Sequence, residues 1–237
     1  METYYSMIDF SVFEKKTGIV FKNKKLLEQA FIHRSYINEN PGLNLHHNER
    51  LEFLGDAVLE LVITDYLYKK FPDSPEGELT AYRSALVNAI IIAEIAQELE
   101  MNDFLLLSKG EAKDTGKARQ YILANTYEAY VGAVYLDQGY AIADQFIEKT
   151  LFPRTDEIVS KKLWRDAKSR VQELAQEYVG VTPAYKVIAE SGPDHDKHFT
   201  IGIYFGTEKI AEGKGKSKQE AEQKAAAEAL KKKGWNE

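Results

Sequence analysis

The chain has 237 residues, 44% apolar and 29% charged, with a formal net charge of −6 and no cysteine. That length holds one large domain or two modest ones, in the composition of an ordinary globular protein. The lack of cysteine excludes disulfides, thiolate zinc sites and cysteine nucleophiles. The first residues, Met1-Glu2-Thr3-Tyr4-Tyr5, have no basic start and no apolar signal core, and the longest apolar-rich run, Ala85 to Ala96, is too short to span a bilayer. The expectation is a soluble, cytoplasmic protein with no membrane partner.

Taken in order, the chain reads as helical from Ser6 to about Pro153. Lys24 to Phe31 is a short amphipathic segment, and Asn38 to His47 is a polar loop with Pro41 and Gly42. An apolar helix then runs from about Asn48 to Phe71, and Pro72 to Gly77 break it. The apolar spacing from Glu78 to Leu99 predicts one long helix. Lys109 to Gln120 is a polar excursion, Tyr121 to Leu136 a strongly apolar helix, and Ala141 to Leu151 a further helix. No stretch before Pro153 alternates as a strand would, so residues 1–153 are expected to form an all-α domain.

Residues 154–165 are charged and read as a connector, with Ile158, Val159, Leu163 and Trp164 able to dock on either neighbour. Beyond it the period changes. Lys168 to Tyr178 is an amphipathic helix with Val171, Leu174, Ala175 and Tyr178 inward. Tyr185 to Glu190, His198 to Phe205 and Glu208 to Gly213 are strands, and Ser217 to Lys233 is an alanine-rich helix. Residues 166–237 are thus a small α+β domain of order α-β-β-β-α. They hold 12 bases and 12 acids. Taken from totals of 31 and 37, this leaves 19 and 25 for residues 1–165, so the whole acid excess lies in the helical part.

That excess gathers on the helix starting near Asn48. At about 100° per residue, Glu49, Glu52 and Asp56 fall within roughly 60° of arc, with Glu60 one turn further on. Leu51, Phe53, Leu54, Val58, Leu59 and Leu61 cover most of the rest, which predicts a buried helix. Carboxylates on such a helix are costly without a cation, and Arg50 points away from them. A second apolar helix offers Asn125 and Glu128 at i, i+3. If the two helices pack, Glu52, Asp56, Asn125 and Glu128 converge as hard oxygen ligands suited to Mg²⁺. The bland alternative is an ordinary salt-bridged helix pair. A dimetal bundle of the ferritin kind would need Glu-x-x-His motifs, which are absent. His33 reads as structural, and His46 and His47 as solvated loop residues.

In the C-terminal part, Ser217 and Glu220 have capping-box spacing. Lys214, Lys216 and Lys218 crowd the same helix N-terminus, where cations oppose the helix dipole. A phosphate there would be held by lysines, dipole and free amides together. Lys231 to Lys233 sit at the favourable end of that helix and read as a solvated run.

Asn48 to Leu61 resembles the signature motif of the ribonuclease III family. The resemblance extends through Ala30 to Tyr36, Glu76 to Thr80, Gly110-Glu111 and Ile122 to Ala129. Residues 166–235 resemble a double-stranded-RNA-binding domain, through Ser169 to Glu173, Gly192 to His195 and Lys214 to Leu230. The resemblance implies Mg²⁺-dependent cleavage of double-stranded RNA, with Mn²⁺ as a substitute, leaving 5′-phosphate and 3′-hydroxyl ends. It implies a homodimer in which each subunit cuts one strand, and a part in processing ribosomal RNA precursors and structured messenger RNAs. Carried over by position, Glu52, Asp56 and Glu128 form the metal cluster, with Asp56 and Glu128 catalytic. Glu49 and Glu76 are secondary acids, Glu111 is a further, inessential one, and Phe53 is a dimer contact. Ser169, Gln172 and Glu173 face one minor groove, the His195 loop enters the next, and Lys214, Lys216 and Lys218 span the phosphates between. The family usually has Asp where this chain has Asn125. A metal ligand set with one charge fewer leaves open a weakened nuclease, or a duplex-binding dimer that does not cut.

Overall fold

The computed structural model describes residues 8–160, 167–193 and 197–235, which fall into two compact units, residues 1–161 and 162–237. The first is helical: α1 (Phe10–Thr17), α2 (Lys24–Ala30), α3 (Arg34–Glu39), α4 (Glu49–Lys70), α5 (Glu76–Leu86), α6 (Ala89–Glu98), α7 (Lys117–Gln138), α8 (Tyr140–Leu151) and α9 (Pro153–Ser160). A one-residue parallel bridge between Ile32 and Leu106 is the one extended pairing among its described residues. No single helix among the described residues is long and apolar enough to cross a membrane.

The unit is built around α7. Every residue from Ile122 to Val134 is buried except Asn125 and Glu128. Its tyrosines are fixed at both ends. The rings of Phe13, Phe31, Phe21 and Phe146 surround Tyr130, and its hydroxyl donates to Thr17 Oγ1 at 3.0 Å. The Tyr127 hydroxyl meets Thr150 Oγ1 at 2.7 Å. Buried hydroxyls need such partners, and aromatic edge-to-face contacts add to the area they bury. Helix α4 lies along α7 on one side, with Leu51, Gly55, Val58, Leu59, Val62, Ile63 and Leu67 buried.

Three sequence expectations change here. The long helix expected over 78–99 is two helices, bent by 46°. Asn88 makes the break: its side chain accepts from the amides of Ile90 and Ile91 and donates to Ala85 O. A side-chain cap that serves both new ends offsets the missing helical bonds. Second, the connector is not all linker. Helix α9 packs on α5 and α8 with Thr155 and Ile158 buried, and Lys70 holds Asp156 at 2.6 Å. Third, α4 is not buried all round. Phe53 and Tyr68 are 82% and 72% exposed, and Leu61 and Ala57 are exposed with them. At i, i+4, i+8 and i+15 these residues form one apolar stripe opposite the core face.

The second unit contains α10 (Ala167–Val179), the strands β1 (Ala184–Ser191), β2 (His198–Phe205) and β3 (Glu208–Gly215), and α11 (Lys218–Lys233). The sheet is an antiparallel meander, β1-β2-β3. Both helices cover one face, with Val171, Leu174 and Ala175 of α10 against Ile203, Phe205, Ile210 and the alanines of α11. Strand alternation puts Ile201, Ile203 and Phe205 inward, as the pattern predicts. Tyr178, expected inward, is 64% exposed and instead lays its ring against Trp235 at 5.8 Å. At the end of its helix it covers the rim of the core.

Candidate active site and nucleic-acid interface

Helices α4 and α7 cross closely enough that their backbones touch. A Cβ on Gly55 would sit 1.7 Å from Glu128 O, and one on Gly132 would sit 2.2 Å from Leu51 O. Only glycine at both positions permits this approach. Glu52 and Asp56 flank Gly55 on α4, and Glu128 lies one turn before Gly132 on α7, so the crossing sets the acids side by side. Sequence reasoning missed both glycines. The signal was there: a glycine inside an apolar helix costs about 1 kcal/mol relative to alanine and usually has a packing reason.

The electrostatics follow. Glu128 is pushed up to about 8, first by burial and then by the charges of Asp56 and Glu52. Glu52 is raised by burial, then by Glu49 and Asp56. Asp56 is raised by burial and then by Glu60. Glu60, one turn further along α4, therefore contributes to the field at the site. Among the described residues none of the three has a basic ion-pair partner. Nor are any three His, Asp or Glu side chains there gathered closely enough to hold a metal ion as they stand. Mutually repelling carboxylates do not close up without a cation between them. Their donor type and charge fit a hard divalent cation, and Asn125, half-buried on the same face of α7 as Glu128, adds a neutral carbonyl oxygen.

The secondary acids lie apart. Glu49 is on the rim, with Arg34 Nη1 at 3.5 Å and His47 Nδ1 at 3.7 Å. Glu76 opens α5 and accepts from Thr80 Oγ1 at 2.9 Å, and its charge is not among those that perturb the cluster. His33 is structural, as expected: it caps α3 by accepting from Ser35 N, and burial lowers its pKa.

In the second unit, Gly213 and Gly215 repeat the device of the first. A Cβ on Gly213 would sit 2.2 Å from Ala225 N, and one on Gly215 would sit 2.6 Å from Ala221 N, so α11 rests directly on β3. Ser217 caps α11 by accepting from Glu220 N at 3.2 Å, and Glu220 Oε2 accepts from Lys216 N at 2.8 Å, one residue before the position a capping box would use. Lys216 and Lys218 are exposed at this terminus, and Lys218 Nζ lies over the Phe199 ring at 5.6 Å. Lys214 is not with them. Strand β3 runs two residues further than expected and takes in Lys214, which pairs with Thr200. Because Gly213 and Gly215 face α11, alternation turns Lys214 to the opposite side of the sheet. Ser169, Gln172 and Glu173 are exposed on α10, where Arg170 reaches Glu173 at 3.5 Å. His195 lies outside the described residues.

Residues 23–155 match a family described as Ribonuclease-III-like, and residues 167–233 match a double-stranded RNA binding motif. The chain belongs to the ribonuclease III family. It is 47% identical to Ribonuclease 3 of Enterococcus faecalis over 92% of this chain and 94% of that one. It is 44% identical to Ribonuclease 3 of Anoxybacillus flavithermus over 94% and 93%. The nuclease domain of ribonuclease III from Campylobacter jejuni superposes with a TM-score of 0.55 at 40% identity, over 61% of this chain and 99% of that one. This member of the ribonuclease III family is therefore an endoribonuclease with a helical nuclease domain and a double-stranded-RNA-binding domain.

Proposed function

We propose that this protein hydrolyses phosphodiester bonds of double-stranded RNA with Mg²⁺, or Mn²⁺ in its place, leaving 5′-phosphate and 3′-hydroxyl ends. The observation that carries the reading is the uncompensated trio Glu52, Asp56 and Glu128, set on either side of a glycine crossing within reach of one another's charge. Those three and the Asn125 carbonyl would hold the cation. Bound there, Mg²⁺ supplies the charge neutralisation and Lewis acidity that phosphodiester hydrolysis needs. Asp56, the more exposed acid, accepts a hydrogen bond from the attacking water and orients it. Glu128 would have to be without its proton to act as a ligand there. Lys216 and Lys218 hold duplex phosphates, and α10 presents Ser169 and Gln172 to a minor groove, reading shape and 2′-hydroxyls.

The working unit is a homodimer in which each subunit cuts one strand. The apolar stripe of α4 supports this, since Phe53, Ala57, Leu61 and Tyr68 line one exposed face of the helix, the kind of surface that a partner covers. The substrates are ribosomal RNA precursors and structured messenger RNAs, met in the cytoplasm. The test is digestion of a perfect RNA duplex with Mg²⁺, with end-group analysis of the products. Parent cleavage that Glu128→Gln abolishes supports the assignment, and equal cleavage by both would refute it. Asn125 favours a second reading, a duplex-binding dimer with cleavage weakened by the missing charge. An inert parent made active by Asn125→Asp would establish that one instead.

A further inference from the structure

The face of α7 that carries Asn125 and Glu128 continues toward the helix start. At about 100° per residue, Lys117, Tyr121, Asn125 and Glu128 lie within roughly 80° of arc. Tyr121 is 60% exposed, although Ile122 and Leu123 beside it are buried, and Lys117 is exposed one turn before it. With a rise of 1.5 Å per residue, Tyr121 stands about 6 Å from Asn125 along the axis and about 10 Å from Glu128. That is the reach of a few nucleotides of one strand. A duplex that lies on Glu128 and runs along α7 would pass over or against the Tyr121 ring. The packing of α7 does not require an aromatic here, since its core contacts begin at the next residue.

We propose that Tyr121 is a substrate-positioning residue. Its ring lies against a ribose of the strand being cut, a few nucleotides from the scissile phosphate, and its phenol hydrogen-bonds that sugar's 2′-hydroxyl. Lys117 meets the next phosphate outward. A ribose is the recognition element in a helix whose wide minor groove displays 2′-hydroxyls, and tyrosine supplies both an apolar face and a polar tip. The inference rests on the duplex-cleavage reading above, and it adds a contact by which the nuclease unit itself distinguishes RNA from DNA.

The experiment is steady-state cleavage of a defined RNA duplex by the full chain with Mg²⁺. Tyr121→Ala should raise KM about tenfold with kcat within about twofold, as expected when one stacked, hydrogen-bonded side chain is removed. Tyr121→Phe, which keeps the ring, should raise KM only about threefold. A duplex with 2′-deoxy sugars within a few nucleotides of the cut should raise the parent's KM by that same threefold and leave the KM of Tyr121→Phe unmoved, as a coupled pair requires. An unchanged KM for Tyr121→Ala, a loss confined to kcat, or equal sensitivity of parent and Tyr121→Phe to the deoxy sugars would overturn the proposal while leaving the function intact. A parent that cuts no duplex would overturn both.

Discussion

The two units use the same device for opposite ends. In each, a pair of glycines lets a helix rest on a neighbouring backbone: Gly55 and Gly132 between α4 and α7, Gly213 and Gly215 between β3 and α11. In the nuclease unit the close approach compresses like charges. Glu128 is pushed up to about 8 by burial and its acidic neighbours, so the site taken alone is electrostatically unfavourable. In the RNA-binding unit the close approach fixes a helix terminus at which Lys216 and Lys218 are exposed, with Lys218 also over the Phe199 ring and 4.0 Å from Glu190. The first arrangement exchanges stability for chemistry. The second holds its charges at the surface, where they cost little and where, on the reading proposed above, they would meet phosphates.

Substitutions that break this comparison should differ in size and in where they act. Glu128→Gln should reduce cleavage at least about a thousandfold, the scale of removing a metal ligand, while duplex affinity measured with Ca²⁺ changes less than about twofold. Gly55→Ala comes next. Its methyl cannot coexist with Glu128 O, so α4 and α7 must part, lowering stability by about 1–3 kcal/mol in denaturant unfolding and cutting activity further. Gly213→Ala should do the equivalent damage to the RNA-binding unit alone, weakening duplex affinity while the thermal transition of the nuclease unit stays in place. Lys216→Ala with Lys218→Ala should weaken duplex binding about tenfold. It should also reduce the slope of log affinity against log salt by about 2, one for each phosphate no longer neutralised. Lys214→Ala, on the other face of the sheet, should change neither.

The smallest effect is in pH. Glu128's pKa is raised in the folded protein above its unfolded value, so between about 4.5 and 8 the folded state holds a proton that the unfolded state has released. Its contribution to stability is therefore lost as pH rises through that window. The metal-free protein should melt at lower temperature at pH 8.5 than at pH 6, and Mg²⁺ should flatten that slope. In Glu128→Gln the difference between metal-free and Mg²⁺ profiles should shrink.

Much of the molecule is readable from residue spacing. Glu52, Asp56, Asn125 and Glu128 can be assigned to facing sides of two helices because burial leaves few reasons for polar residues inside apolar runs. The alternation of Phe199, Ile201, Ile203 and Phe205 places β2 correctly. The failures are tertiary. Asn88 looks like any polar residue in a helix until its side chain is seen capping one helix and bonding the end of another. Gly55 and Gly132 reveal a close approach only once the partner backbone is known. Proximity in sequence groups Lys214 with Lys216 and Lys218, but strand pairing decides faces, and two more ladder residues move it to the other side.

The central claim is that the α4–α7 crossing keeps a proton on Glu128 beside carboxylates that a cation would neutralise. Calorimetric titration of metal into the full chain, in buffers of different ionisation heat, counts the protons released on binding. With Glu128 near 8, the parent should release close to one proton per site at pH 7 and about none at pH 9.5, and Glu128→Gln should release markedly fewer at pH 7. Metal binding without proton release at pH 7, or equal release from both proteins, would contradict the account.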